Sequence, residues 1–143
     1  MKIKKLLQAI VVMVGAFFGL IPNCGDAVNL DYNFDDLLAA IATVESNNDP
    51  NAYNKKENAA GLYQIRPIYL KDVNRILGVQ RYKLFDRFDP QKSREIAYVY
   101  LNHYGKNKSL EQLARIHSGG PQGYKRKSTL AYWHKVKRVL NNK

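Results

Sequence analysis

Apolar positions fall at helical spacing along most of this chain. Phe34, Leu37, Leu38, Ile41 and Val44 recur every three or four residues, which predicts an amphipathic helix with Asn33 or Asp35 as its cap. Asn51 to Ala60 has no period and reads as a loop, and Gly61 to Ile65 as a short turn or helix. Pro67 suits the first turn of a helix running to Leu77, with Gly78 ending it. Asp89-Pro90 opens another, through Ile96, Val99, Tyr100 and His103, ended by Gly105. Ser109 with Gln112 forms a capping box for a short helix to about Ile116. Ser118 to Gly123 reads as a Gly-Pro loop, and Thr129 to Leu140 as a closing helix with Tyr132, Trp133, Val136 and Leu140. No strand-like alternation stands out. The pattern predicts a mainly α single domain with little or no sheet.

The N-terminus is patterned differently. Three lysines lie within Met1 to Lys5, and Leu6 to Ile21 is then apolar apart from Gln8 until Pro22 and Asn23 break the run. This charge order is that of a secretory signal, and the run is short for a spanning helix. Small residues at Gly25-Asp26-Ala27 place the expected cleavage after Ala27; an uncleaved membrane anchor is the other reading. The single cysteine, Cys24, sits at this boundary, so a chain cut after Ala27 has no cysteine and no disulfide. Lipid attachment at Cys24 ranks low, because the preceding Ile-Pro-Asn lacks the small residues such a site favours. Residues 1–27 are therefore read as a signal or anchor and 28–143 as the domain. The protein is expected to be exported to the periplasm, cell surface or exterior.

Of 143 residues, 45% are hydrophobic and 24% charged, which excludes a disordered chain and allows one domain with a real core. Cleavage would leave a net charge of +9, very unevenly spread. Val28 to Leu101 is neutral, whereas Asn102 to Lys143 has ten basic residues and only Glu111. Such a third attracts polyanions. For an exported protein these would be anionic envelope polymers, held by Lys125 to Lys127 and Lys135 to Arg138. A plain solvated surface is the alternative. No nucleic-acid motif is present, so no nucleic-acid partner is expected. The protein is expected to be a monomer.

Glu45 is the candidate for chemistry. It follows Leu38 by seven residues and Ile41 by four, which puts its carboxyl on the apolar helix face. Burial disfavours the charged form, and so does the negative end of the helix dipole. Both raise the pKa toward the protonated state a general acid needs. A small tilt would instead leave the same residue as a solvated helix end.

The segments "VESNNDPNAYN", "AAGLYQI", "FDP" with a following "YL", "HSGGP" and a late "YWHKV" occur in one order at compatible distances. Together they resemble the lysozyme-like domain of soluble lytic transglycosylases, the SLT family, over nearly all of Phe34 to Leu140. The resemblance implies a lysozyme-like fold of about six helices. It makes Glu45 the single catalytic acid/base, with Ser46 the small polar residue beside it. It assigns Gly61, Leu62, Tyr63, Gln64 and Ile65 to the wall of the glycan cleft, with Gln64 on the sugar and Leu62 and Ile65 also in the core. "HSGGP" is similar to the family's Tyr-Asn-x-Gly-Pro loop, but His117 and Ser118 stand in place of Tyr and Asn. Gly119 and Gly120 would allow close backbone approach to a ligand. His117 is either a second titrating group or a hydrogen-bonded wall residue. Tyr132 matches the late tyrosine that reaches toward the acid.

The implied substrate is peptidoglycan, cut between N-acetylmuramic acid and N-acetylglucosamine to give a 1,6-anhydro product, without metal or cofactor. A hydrolytic muramidase would need a second carboxylate. The chain offers Asp49, Glu57, Asp72, Asp86 and Asp89; Asp49 and Asp89 have capping roles, and Glu57 stands roughly where a base could sit, although beside Lys55 and Lys56 it reads first as a solvated loop charge. A non-catalytic wall-binding protein with the same fold is the third reading.

Overall fold

The computed structural model describes residues 30–142. The signal or anchor segment, its cleavage point and Cys24 lie outside the described residues. Among the described residues no helix is long and apolar enough to cross a membrane.

Among the described residues five α-helices carry the fold: α1 (Leu30–Ser46), α2 (Pro67–Leu77), α3 (Pro90–Tyr104), α4 (Leu110–Gly119) and α5 (Leu130–Asn141). A two-stranded antiparallel ribbon, β1 (Tyr53–Asn54) and β2 (Ala59–Ala60), follows α1, with Tyr53 paired to Ala60 and Asn54 to Ala59. Short 3₁₀ turns occupy Leu84–Phe88, Gly123–Lys125 and Lys127–Thr129. The fold is mainly α, as the pattern predicts, and agrees with the helical architecture that the resemblance implies. Gly61 to Ile65 is the turn after the ribbon, closed by an Ala60–Ile65 bridge, and not a sixth helix.

Local chemistry sets the ends of these elements. Asp89 accepts from the Lys92 amide at 2.9 Å, and Ser109 and Gln112 cap one another reciprocally at the start of α4. Gly78, at φ +69°, closes α2 with amide bonds back to Arg75 and from Val79 to Asn74. The end of α1 uses Asn47 and Asn48, both left-handed at φ 53° and 62°, whose amides return to Thr43 and Ala42. That stop leaves Glu45 in the last turn.

The core lies between the helices. Leu37, Leu38 and Ile41 of α1 are sealed against Ile65, Val73, Ile96, Leu101, Ile116 and Val136. Each such side chain is stabilised by roughly 2 kcal/mol on leaving water. Helix α1 packs on α5 and α4, and α2 on α3. Two buried polar residues fix the connections. Asn74 bonds the Tyr82 backbone in both directions, at 2.8 and 3.0 Å, and so holds the loop after α2. Arg115 of α4 reaches Thr129 and the Arg126 carbonyl, each at 3.0 Å, and fixes the entry to α5.

Candidate active site

Glu45 stands where three parts of the fold converge. Helix α1 brings its carboxyl, α5 brings Tyr132, and α4 brings His117. The Tyr132 hydroxyl donates to Glu45 Oε1 at 2.8 Å. The Glu45 side chain keeps 21% of its exposure, enough for a ligand to reach it. Its pKa is raised above the ordinary carboxylate value. Burial is the largest cause and the nearby Glu57 charge adds to it, while the Tyr132 hydrogen bond, Arg66 and Lys135 act in the opposite direction.

His117 is neutral at physiological pH. It is buried, and burial pushes its pKa down to about 4. The Tyr63 carbonyl, 3.1 Å from Nε2, can only accept, so Nε2 carries the proton. Nδ1 then accepts from the Tyr69 hydroxyl at 3.3 Å. Glu45 Oε1 lies 3.6 Å from Nε2, beyond a hydrogen bond, so His117 supplies no cation to hold Glu45 ionised. It is a fixed wall, stacked loosely beside Tyr132 with ring centres 6.5 Å apart.

A cleft of about 330 Å³ opens over the Glu45 carboxyl, lined also by Asn54, Glu57, Gln64, Ser118 and Tyr132. A larger cleft of about 890 Å³ shares Arg66, Tyr69 and His117 with it and runs on past Tyr100 and Gly119-Gly120-Pro121. Those three residues are common to the two clefts, and Glu45 lines the smaller.

Of the residues the sequence nominates, Glu45, Gln64, His117, Ser118 and Tyr132 meet in the smaller cleft, and Gly119 and Gly120 in the larger. Five others serve the scaffold and are not on the cleft lining. Ser46 Oγ contacts the Ala42 and Leu62 carbonyls, both at 3.0 Å, tying the helix end to the turn. Tyr63 and Ile65 are core residues, and Leu62 packs against the core. Gly61, at φ +75°, is a backbone requirement, since a Cβ there would meet the Arg87 carbonyl at 1.7 Å. Gln64 lines the cleft but spends its amide hydrogens on the Ala52 and Gly61 carbonyls, both at 3.1 Å, leaving its side-chain oxygen for a ligand. Those bonds also hold its unusual φ of 44°.

Sequence reasoning did not nominate Arg66, Tyr69 or Asn54. Arg66 and Tyr69 flank Pro67, in a stretch that reads only as a helix start. Asn54 looks like an ordinary loop residue. Its Oδ1 accepts from the Lys56 and Glu57 amides at 3.1 and 3.4 Å and so shapes the turn that presents Glu57. Among the described residues no group of His, Cys, Asp or Glu is gathered to hold a metal ion.

The Tyr132 hydrogen bond favours ionised Glu45, so its loss should raise the Glu45 pKa. Tyr132→Phe is expected to move the carboxyl ¹³C titration of Glu45 to higher pH. A midpoint that stays put or falls would show that the bond does not act on this group.

A family model for the transglycosylase SLT domain matches residues 27–134. A lysozyme of Magallana gigas is 32% identical over 103 residues, covering 69% of this chain and 74% of the relative. A lysozyme of Ostrea edulis is 33% identical over 81 residues, covering 55% and 58% respectively.

Proposed function

This chain belongs to the transglycosylase SLT domain family and is a glycosidase-like, peptidoglycan-cleaving enzyme, and from that premise we propose that Glu45 is its general acid. The supporting observation is the half-enclosed carboxyl at the cleft floor, with its pKa raised by burial and its oxygen held by Tyr132. Protonated Glu45 gives its proton to the glycosidic oxygen as the bond between N-acetylmuramic acid and N-acetylglucosamine breaks. Tyr132 then hydrogen-bonds the carboxylate that forms. In the transglycosylase course this carboxylate removes the proton from the muramyl C6 hydroxyl. The C6 oxygen attacks the anomeric carbon and leaves a 1,6-anhydro end with no water consumed. Gln64 Oε1, Ser118 and the Gly119-Gly120 backbone are proposed to contact the sugars.

One observation favours a second course. Glu57 lines the same cleft as Glu45, and its charge acts on it. A water placed between the two carboxyls would be activated by Glu57, and the product would be a reducing end. Both named relatives are lysozymes. Against this course, Glu57 is an exposed residue of the ribbon turn.

Mass spectrometry of digested sacculi separates the two. The single-carboxylate course gives anhydro ends, and Glu57→Gln should stay within about threefold of wild type. The two-carboxylate course gives ends heavier by one water, and Glu57→Gln should lose about 10²-fold. The cationic C-terminal third, with exposed Lys125 to Lys127, Lys135 and Arg138, would hold the enzyme on anionic envelope polymers. The protein is proposed to act outside the cytoplasm, as a monomer.

A further inference from the structure

Three aromatic rings stand in a row outside both clefts. Tyr53 of β1 and Phe88 have ring centres 6.2 Å apart, and Phe88 and Phe85 6.0 Å, with planes tilted by 46° and 48°. Tyr53 is 52% exposed and Phe85 82%. None of the three lines the cleft over Glu45 or the larger one. Successive residues of a strand face opposite ways, and Asn54, next to Tyr53 in β1, lines the Glu45 cleft. The ribbon therefore carries the cleft on one face and this aromatic ledge on the other.

Polar bonds fix the ledge in place. The Tyr53 hydroxyl donates to Asn58 Oδ1 at 3.2 Å, the oxygen that also accepts from Arg87 Nη2 at 3.3 Å. Arg87 lies between Phe85 and Phe88 in sequence, and its Nη1 ties their 3₁₀ turn to the Asn58 carbonyl at 2.6 Å. Two elements thus hold three rings at the surface, and exposed apolar clusters of this kind mark a face that another molecule covers. The charges along the turn offset one another. Lys92 pairs with Asp86 at 2.7 Å, and Lys83 and Asp89 are one of each sign. Such a face suits an uncharged ligand better than a polyanion or an anionic lipid surface. The sugar rings of a β-1,4 glycan are uncharged, present C–H faces that stack on aromatic rings, and are turned relative to one another as these rings are.

We propose that the Tyr53–Phe88–Phe85 ledge is a second glycan-binding site, which holds a neighbouring strand of the wall while the cleft holds the strand being cut. This rests on peptidoglycan being the substrate, and not on Glu45 being the acid. Strands of one polymer lie side by side in the wall, so a weak second site raises retention through effective concentration. Stacking on uncharged sugars is not screened by salt, whereas attraction through the cationic C-terminal third is.

The test is co-sedimentation with purified sacculi at high salt, in the Glu45→Gln protein so that the wall stays intact. Adding Phe85→Ser should cut retention about fivefold, and Phe85→Trp, which keeps a ring, should stay within about twofold of the parent. Soluble peptide-free glycan should release the Phe85-dependent part. With Glu45 in place, Phe85→Ser should cleave short soluble oligomers within about twofold of wild type. Retention unchanged by Phe85→Ser would overturn the proposal, and so would an equal loss on the short oligomers, which would place the effect in the cleft or the fold. Failure of the soluble glycan to compete would give the ledge to another partner. A dimer in solution that Phe85→Ser dissolves would give it to a second copy of this chain. Muropeptide release by Glu45→Gln alone refutes the proposed acid instead, and retention on the remaining sacculi still reports the ledge.

Discussion

Glu45→Gln is expected to abolish peptidoglycan cleavage, lowering turnover about 10³-fold, without weakening the fold at neutral pH. Glutamine keeps an oxygen that can accept from Tyr132 but has no proton to give the leaving oxygen. The stability half of this prediction has a definite sign. The folded pKa of Glu45 lies above the ordinary carboxylate value, mainly through burial. Its favourable contribution is therefore fully present below the unfolded pKa and is lost as pH rises through the folded pKa. Above its folded pKa the partly buried carboxylate costs stability, and neutral glutamine removes that cost. Thermal melts from about pH 4 to about pH 8 should show the variant gaining on wild type as pH rises. A constant difference across that range would mean that Glu45 ionises as freely folded as unfolded. Muropeptide release by the variant near the wild-type rate would remove Glu45 from the mechanism.

The features legible in the sequence are those with local causes. Pro67, Gly78, Asp89-Pro90 and the Ser109–Gln112 box mark helix ends that the structure reproduces, because each cap is made by residues within one turn. The start of α1 was less legible: the chain is already helical at Leu30, the first described residue, ahead of both expected caps, Asn33 and Asp35. Helix α4 runs on to Gly119, past the expected end near Ile116. Tertiary packing explains this, since Thr129 sits where a Cβ at Gly119 would go, 2.7 Å away, and Gly123 lies against the Arg115 carbonyl. His117 and Ser118 are thereby helical and point into the cleft lining. The ribbon has two residues per strand, too few for any alternation to register. Glu45 was legible because its burial follows from helical phase. Arg66, Tyr69 and Asn54 were not, because their proximity to Glu45 exists only after α2 and the ribbon have docked.

Arg87→Met is expected to cost about 3 kcal/mol, and to lower the melting temperature by about 12 °C in a domain of this size. Nothing in "FDRFDP" distinguishes this arginine from a solvated one, yet it is only 4% exposed. Its Nε donates to the Leu84 carbonyl at 2.8 Å, and Nη1 to the Asn58 and Ile65 carbonyls at 2.6 and 2.8 Å. Nη2 reaches Asn58 Oδ1 at 3.3 Å. One guanidinium thus clamps the ribbon turn beside Glu57, the end of the Gly61 to Ile65 turn and the 3₁₀ segment that carries it. Its own carbonyl closes against Gly61, so the contact has no slack. Methionine keeps the apolar stem but leaves the buried Ile65 carbonyl without its donor and unties the Leu84 and Asn58 carbonyls. Arg87→Lys separates geometry from charge. An ammonium keeps the positive charge but cannot span the three carbonyls, so it should recover only a minor part of the loss. A lysine variant that melts with wild type would show that a point charge suffices. Because the clamp holds the wall facing Glu45, the destabilised variants should also lose turnover at temperatures well below their melts. Undiminished turnover there would mean that the ribbon is held by other contacts.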